Sequence, residues 1–400
     1  MPGRDADIAI LGGGLSGGLA ALALAIRRPD LKLLLVEAAD SLGGNHVWSF
    51  FASDVAAADR WLTDPLVACR WSGHSVRFPR KSRVLSAGYA SITSASFDAG
   101  LRKALPAEAI MTGARVASAT RGGFRLDDGR EFRAGVVIDA RGLAAFPGLV
   151  GGWQKFVGQK LRLEGPHGLS RPMIMDARIR QADGFRFVYC LPFSPDTVFV
   201  EDTYYSDTPD IDRDALTARI AEYCQLANWR VAEVLGEEQG VLPVVAGGDF
   251  AAFCARGQGR GVPAIGVRAG LFHPLTGYSL PTAVQTALVI ADLPDMSAVA
   301  VEAALADHAS AHWRATGYYR LLARMLFGAA LPARRYKVFE RFYRLGQPLI
   351  QRFYAGRLTR MDQLRLLIGK PPVSVVRALA SLIGKGLPLA RLDAIKGEQA

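Results

Sequence analysis

The stretch from Asp7 to Glu37, DIAILGGGLSGGLAALALAIRRPDLKLLLVE, limits the possible folds more than any other part of the chain. Ile8, Ala9, Ile10 and Leu11 make a short apolar run of the kind buried in a parallel sheet. Gly12-x-Gly14-x-x-Gly17 then opens a segment rich in Ala and Leu at helical spacing. Gly12 permits a tight turn, Gly14 lets a pyrophosphate approach the backbone, and Gly17 lets helix and strand pack closely. Phosphates would sit on the unpaired N–H groups of the helix N-terminus, favoured by its dipole. A second apolar run ends at Glu37, twenty residues after Gly17, where a carboxylate can accept hydrogen bonds from an adenosine ribose. A glycine triplet alone is common in turns. Strand, triplet, helix, strand and terminal acid, in this order, predict a βαβ unit that binds a dinucleotide.

The loop after Glu37 carries Gly43 and Gly44, which allow close backbone approach, then Asn45, His46 and Trp48, which can line a cofactor. His46 taken alone reads equally well as a surface or packing residue. A helix is predicted to start near Ser96, with Phe97, Leu101 and Leu105 at helical spacing. From Arg115 to Ala140 the pattern is strand throughout, with a hairpin turn at Asp127-Asp128-Gly129 and a last apolar strand leading to Asp139 and Gly142. This βαβ, meander and return strand resemble the FAD-binding half of glutathione-reductase-like flavoproteins. The resemblance implies FAD as the tightly held nucleotide, with Val116 beside the adenine.

The chain then reads as a β-rich insertion, with Phe185, Phe187 and Tyr189 alternating and one helix over roughly 212–226. It returns to the cofactor in a strand, a Gly-rich turn and a helix starting near Ser279, a segment holding Gly266, Arg268, His273, Thr276, Gly277 and Tyr278. The expected fold class is α/β: a Rossmann-like FAD-binding domain, an inserted β-rich substrate domain and a helical, basic C-terminal region. The expected boundaries are 1–150 and 249–295 for the FAD-binding domain, 151–248 for the insertion and 296–400 for the helices.

Half of the residues are hydrophobic and mean hydropathy is +0.15, yet no apolar run reaches the length of a membrane-spanning helix. Cys69, Cys190, Cys224 and Cys254 are scattered without a CxxC pair and read as reduced thiols. With no secretory signal at the N-terminus, the expected location is cytoplasmic. The formal charge is +11, and from Leu331 onward fourteen basic residues face four acidic ones. Basic charge on apolar, aromatic helices suits an anionic membrane surface. The rival readings are a solvated tail or nucleic acid, but no nucleic-acid-binding module is present. Peripheral association with the inner membrane is therefore expected.

The segment FVEDTYY at 199–205 holds the acids best suited to chemistry. In a strand, Phe199, Glu201, Thr203 and Tyr205 share one face and Asp202 takes the other, so only one of the two acids can face a cavity. Glu201 among aromatics would have its pKa raised by desolvation and hold a proton near neutrality. The plain alternative is a strand acid in a salt bridge. His308 and His312 stand at i, i+4, but no third metal ligand is evident, and they read as ordinary helix residues.

Three motifs, GGGLSGGL…LLLVEAADSLGGNHVWSFF, LPFSPDTVFVEDTYYSD and GVRAGLFHPLTGYSLPTAV, resemble the bacterial lycopene β-cyclases over most of the first three hundred residues. The resemblance implies a fold like that of FAD-dependent hydroxylases. It also implies closure of the linear ends of lycopene into β-ionone rings, through γ-carotene to β-carotene, without net redox change. Reduced FAD is required, with NAD(P)H as reductant. A carboxylic acid protonates C2, the C5–C6 alkene attacks the cation at C1, and a proton leaves C6. The acid's role falls on Glu201, with Asp202 beside it and His273 near the flavin or substrate as further catalytic candidates. Val267-Arg268 stands where generic flavoproteins carry Gly-Asp after the strand, which fits the cyclase pattern. Arg268 would neutralise phosphate or reduced flavin, or else make a structural ion pair. Expected partners are lycopene and related carotenes, the membrane surface and other carotenoid-biosynthesis enzymes. An NAD(P)H-dependent hydroxylase, a polyprenyl reductase and a flavin-bearing carotenoid carrier are the competing functions.

Overall fold

The two apolar runs around the glycine fingerprint lie side by side as parallel strands. The computed structural model describes residues 4–143, 145–182, 184–257, 261–368, 375–384 and 386–389. β1 (Ala6–Leu11) sits at the centre of a six-stranded sheet, flanked by β2 (Leu33–Val36) and β11 (Glu131–Asp139), both parallel to it. β8 (Ile110–Met111) extends one side, while β10 (Gly123–Leu126) and β9 (Val116–Thr120) extend the other as the expected antiparallel meander. The connecting helix α1 (Leu15–Arg27) is buried nearly all round because it lies between this sheet and α5 (Leu280–Ala291). Only glycine serves at the turn before α1. Gly12 has φ +107°, and a Cβ there would stand 2.8 Å from the Ala140 backbone. At Gly17 a Cβ would lie 2.0 Å from the Gly12 carbonyl, so helix and strand would be forced apart.

A three-stranded layer is formed by β3 (Val47–Phe51), β7 (Tyr89–Thr93) and β4 (Cys69–Trp71). Helix α2 (Ser94–Ala104) starts two residues before the sequence suggests. Thr93 is the N-cap, and Ser96 is its partner in a capping box.

The third sheet has seven strands, ordered β16 (Val231–Gly248), β12 (Leu149–Leu163), β15 (Thr197–Ser206), β14 (Phe185–Pro192), β13 (Met173–Asp176), β5 (His74–Phe78) and β6 (Lys81–Leu85). Its outer hairpin, β5–β6, comes from residues 74–85, well outside the 151–248 stretch that supplies the other strands. Helix α3 (Arg213–Leu226) covers one face through Leu216, Ile220 and Cys224. The other face carries Phe185, Phe187, Phe199 and Tyr205 and is covered by the C-terminal helices.

Helix α4 (Phe250–Gly257) leads back to the cofactor sheet, where Ala264 bridges Asp139 in parallel before α5 begins. Then follow α6 (Ala298–Ala315), α7 (Gly317–Gly328), α8 (Tyr336–Phe342), α9 (Gln347–Tyr354), α10 (Arg360–Leu367) and α11 (Val375–Ile383). The basic residues Lys370, Lys385, Arg391 and Lys396 lie outside the described residues.

Candidate active site

The cofactor cradle is built from turns that leave room where a ligand would lie. Nothing stands within 4 Å of a Cβ added at Gly14 or at Gly142, so both backbones face open space. Gly14 caps α1 without a side-chain hydrogen bond, which leaves the first N–H groups of the helix for a phosphate. Helix α5, preceded by Ser279, also begins without a side-chain cap, in the segment that returns to the same sheet. Gly266 packs against the first turn of α1, where an added Cβ would stand 2.7 Å from Ser16 Oγ. Glu37 accepts hydrogen bonds from Gly13 N–H (2.7 Å) and Ala39 N–H (2.9 Å), which fixes its carboxylate at the mouth of the glycine turn. Gly43, bonded through its N–H to the Gly13 carbonyl, and Gly44 both have positive φ beside that mouth. These are the features a dinucleotide such as FAD needs, and the residues fit it.

Asp139 and Arg268 serve the cradle differently from a simple ligand pair. The buried Asp139 carboxylate accepts from Arg141 Nε (2.9 Å) and Nη2 (2.8 Å) and pairs with Arg268 Nε at 3.3 Å. Arg268 also donates to the Gly142 carbonyl at 2.8 Å, and burial lowers its pKa. Val116 is the first residue of β9, and its carbonyl accepts from Arg141 Nη1 (3.1 Å). This cluster ties the end of β11 to the return segment. In that segment the turn Thr276-Gly277-Tyr278 closes on itself, with His273 N–H donating to the Tyr278 carbonyl and Gly277 N–H to the His273 carbonyl.

The other candidate residues stand on the inner face of the seven-stranded sheet. Antiparallel register sets Tyr189 on β14, Glu201 on β15, Gly158 on β12 and Glu238 on β16 in one row. Gly158 is needed because a Cβ there would lie 2.2 Å from Cζ of Phe199, whose ring occupies the gap. Glu201 is partly accessible and takes a short hydrogen bond from Thr203 Oγ1. Its pKa is pushed up to about 8, mostly by desolvation and in addition by the nearby Glu238, with the Thr203 hydroxyl opposing both. A carboxylic acid that keeps its proton at neutral pH can serve as a general acid.

Asp202 lies on the opposite face, as strand alternation requires, buried toward α3. Arg186 Nε reaches both of its oxygens (3.0 and 2.8 Å) and Nη2 reaches one at 2.5 Å. Burial raises its pKa against the pull of Arg186. The structure thus separates the two adjacent acids, one on the aromatic inner face and one held in a buried ion pair.

His273 is buried with both ring nitrogens engaged. Nε2 faces the Phe353 carbonyl at 3.2 Å, and Nδ1 accepts from Leu275 N–H at 3.3 Å. Burial lowers its pKa to about 3, so the ring is neutral and carries its proton on Nε2. His308 contacts Thr286 Oγ1 (3.0 Å) and His312 the Phe272 carbonyl (3.0 Å), each in a separate local hydrogen bond.

Two groups that sequence reasoning passed over also face the site. Asp54, just after β3, accepts from the Tyr278 hydroxyl (2.5 Å) and Phe51 N–H (2.8 Å), while its buried Oδ1 has no hydrogen-bond partner. Burial lifts its pKa to about 6 against those two donors. The hydroxyls of Tyr89 and Tyr189 meet at 3.0 Å, and burial holds the Tyr189 hydroxyl well above its usual range. The Gly-Tyr-Ser motif and strand parity hint at Tyr278 and Tyr189, but nothing local marks Asp54.

Sheet order, crossover and glycine cradle are together those of a FAD-binding, Rossmann-like flavoprotein. Two solved structures share that fold. One is a geranylgeranyl bacteriochlorophyll reductase-like protein from Thermoplasma acidophilum, with a TM-score of 0.60 and 15% identity over 94% of this chain and 99% of that one. The other is the flavin-dependent brominase Bmp2, with a TM-score of 0.58 and 15% identity over 88% and 93%. The sequence carries the assignment further. Residues 7–380 match the family described as lycopene cyclase protein. A lycopene beta-cyclase from Pseudescherichia vulneris is 45% identical over 372 residues, 93% of this chain and 96% of that protein. One from Pantoea ananas is 43% identical over 378 residues, 94% and 98%. The chain belongs to the lycopene cyclase family.

Proposed function

We propose that this enzyme closes the linear ends of lycopene into β-rings, giving γ-carotene and then β-carotene, with Glu201 as the acid. The observation that supports the reading is the place of Glu201 on the aromatic inner face of the seven-stranded sheet. It keeps its proton at neutral pH, is held by Thr203, and faces aromatic rings across from a dinucleotide cradle. Glu201 delivers its proton to C2 of the terminal alkene, and the electrons of the C5–C6 double bond then close the ring on C1. The Phe199 and Tyr189 rings flank the developing cation with negative π faces, and the apolar wall excludes the water that would trap it. Loss of the C6 proton completes an isomerisation with no net electron transfer. Gly12, Gly14, Gly17 and Glu37 would hold FAD, which in its reduced form supplies electron density that stabilises the cation. NAD(P)H serves only to reduce it.

In this reading Asp202 and His273 are structural. Asp202 anchors β14 to β15 through Arg186, and His273 pins the turn before α5 to α9. Arg268 and Asp139 hold the cradle in shape rather than meeting the ligand directly.

The substrate dissolves in bilayers, and the C-terminal helices suit contact with one. Val376 and Ile383 are 76% and 87% exposed, and Met361, Leu364 and Ile368 are exposed nearby, interspersed with Arg360 and Arg377. No helix among the described residues is long and apolar enough to cross a membrane. The exposed apolar and basic residues support peripheral association with an anionic inner-membrane surface. An apolar groove lined by Leu322, Met325, Phe339, Phe342, Phe353 and Leu366 runs from this region. Phe339 at its wall stacks on Phe185 at 4.3 Å, on the same sheet face as Glu201, which supports reading the groove as the way in for the hydrocarbon. Other carotenoid-biosynthesis enzymes acting on the same membrane pool are natural neighbours.

The test is anaerobic incubation with lycopene in liposomes, FAD and substoichiometric NADPH, followed by pigment chromatography. Many β-rings per NADPH oxidised is the expected result. One NADPH per product would mark a reductase or hydroxylase, and pigment binding without conversion would mark a carrier.

A further inference from the structure

Three consecutive residues of the glycine loop clasp the edge strand of the seven-stranded sheet. Asn45 Nδ2 donates to the Glu237 carbonyl (3.2 Å), His46 Nδ1 lies 3.0 Å from Glu238 Oε1, and Val47 N–H donates to Glu238 Oε2 (3.0 Å). Glu238 is 6% exposed, whereas the His46 ring is 45% exposed. Each oxygen of this buried carboxylate is therefore met by the loop that follows the dinucleotide-binding strand. Glu238 also stands in the same row as Glu201, with only Gly158 between them. Two strand spacings, about 9.5 Å, separate the two backbones, and the apolar Phe199 ring fills the space over Gly158 between them.

We infer that Glu238 is a positioning residue for Glu201: gripped at both carboxylate oxygens by His46 and Val47, it opposes loss of the proton from the neighbouring acid and ties that effect to the seating of the glycine loop. The inference rests on reading Glu201 as the acid. Two carboxylates in one poorly solvated cavity resist ionising together, and the one with more donors keeps the charge. Glu238 has a ring nitrogen and a backbone N–H, and Glu201 has the Thr203 hydroxyl. The other groups that face Glu201 do not reverse this order. Tyr189 from β14 is neutral and bonded to Tyr89 from β7. Lys160, two residues along β12, lies over the Phe193 ring at 5.4 Å. Asp202 is turned to the far face against Arg186. A loop displaced from β16 would remove both donors from Glu238, let the two carboxylates share the proton and disarm the acid. Catalytic competence is in this way coupled to an ordered cofactor side.

The experiment is an isotope-edited infrared titration of the Glu201 carboxyl in the FAD-loaded protein, its band identified by loss in Glu201→Gln. In Glu238→Gln the midpoint should fall by about one pH unit or more, and the alkaline limb of turnover should move the same way. Glu238→Asp should keep most of the wild-type midpoint. His46→Leu, which leaves Glu238 in place, should lower the protonated fraction of Glu201 at neutral pH. An unmoved Glu201 band in Glu238→Gln, or in His46→Leu if the former does not fold, overturns the inference. The readout is independent of turnover. If Glu201→Gln remains active while the band still moves, the acid assignment fails and the coupling stands.

Discussion

In the proposed reaction Glu201 carries most of the chemical weight, and its environment makes that role testable in two ways. Replacement by Gln keeps the shape and removes the proton, so turnover should fall by at least about 10²–10⁴-fold while bound flavin is unchanged. Activity near that of the wild type would sink the assignment. The second consequence concerns stability. The folded protein holds this proton up to about pH 8, against an ordinary value of 4.5. Between those values the folded state binds more protons than the unfolded one, so stability declines as pH rises through that window. Glu201→Gln should flatten the decline by roughly 1–3 kcal/mol, allowing for water in the cavity, as read from melting curves at pH 5 and pH 9. Glu37 makes a different prediction. If its carboxylate meets the ribose, Glu37→Ala should weaken FAD retention by about ten- to a hundredfold, measured by flavin release on dilution. Unchanged retention would remove it from the cradle.

At the scale of elements, β14 and β15 are joined by a buried ion pair as well as by their ladder. Asp202→Ala would leave Arg186 charged and unpaired in an apolar layer, at a cost of about 3–5 kcal/mol. Urea unfolding should show that loss, and a variant that also replaces Arg186 with Met should recover much of it. Recovery of activity in the double variant would separate this structural role from a catalytic one. The elements also show what a reader of the sequence can and cannot see. The fingerprint, the Asp127–Gly129 hairpin and the helix after Ser279 are written in neighbouring residues, and each forms where its spacing predicts. Glu201 and Asp202 part company by simple alternation, which needs no tertiary knowledge. Glu238 was invisible because its meaning lies in register: 37 positions from Glu201, it joins that row only through Gly158. Parity within the Glu237-Glu238 pair signals that one of them faces inward, but not what it meets. The β5–β6 hairpin was missed for the same reason, since a parallel partner can come from anywhere in the chain.

For the molecule as a whole, the proposed function depends on a dinucleotide cradle meeting a hydrocarbon. Exposed apolar residues on α10 and α11 and the arginines among them predict binding to vesicles with anionic lipid, weakening as salt rises. Replacing Arg360, Arg365 and Arg377 together by Gln should reduce binding by roughly a hundredfold at low salt, taking about 1 kcal/mol for each. Vesicle sedimentation measures this directly, and binding indifferent to charge and salt would refute an electrostatic surface contact.

The hairpin of residues 74–85 also makes the chain hard to recombine. The seven-stranded sheet draws its outer edge from one part of the sequence and its core from another, with cofactor-binding segments on both sides of each. A chimera that imports 151–248 from a relative, to change which carotene is accepted, would set a foreign β13 against a native β5. Parallel pairing at Met173–Ser75 and Asp176–Arg77 would then join two histories that had not been selected together. Exchanges that carry 74–85 along with the insertion should yield working hybrids more often than exchanges that leave it behind.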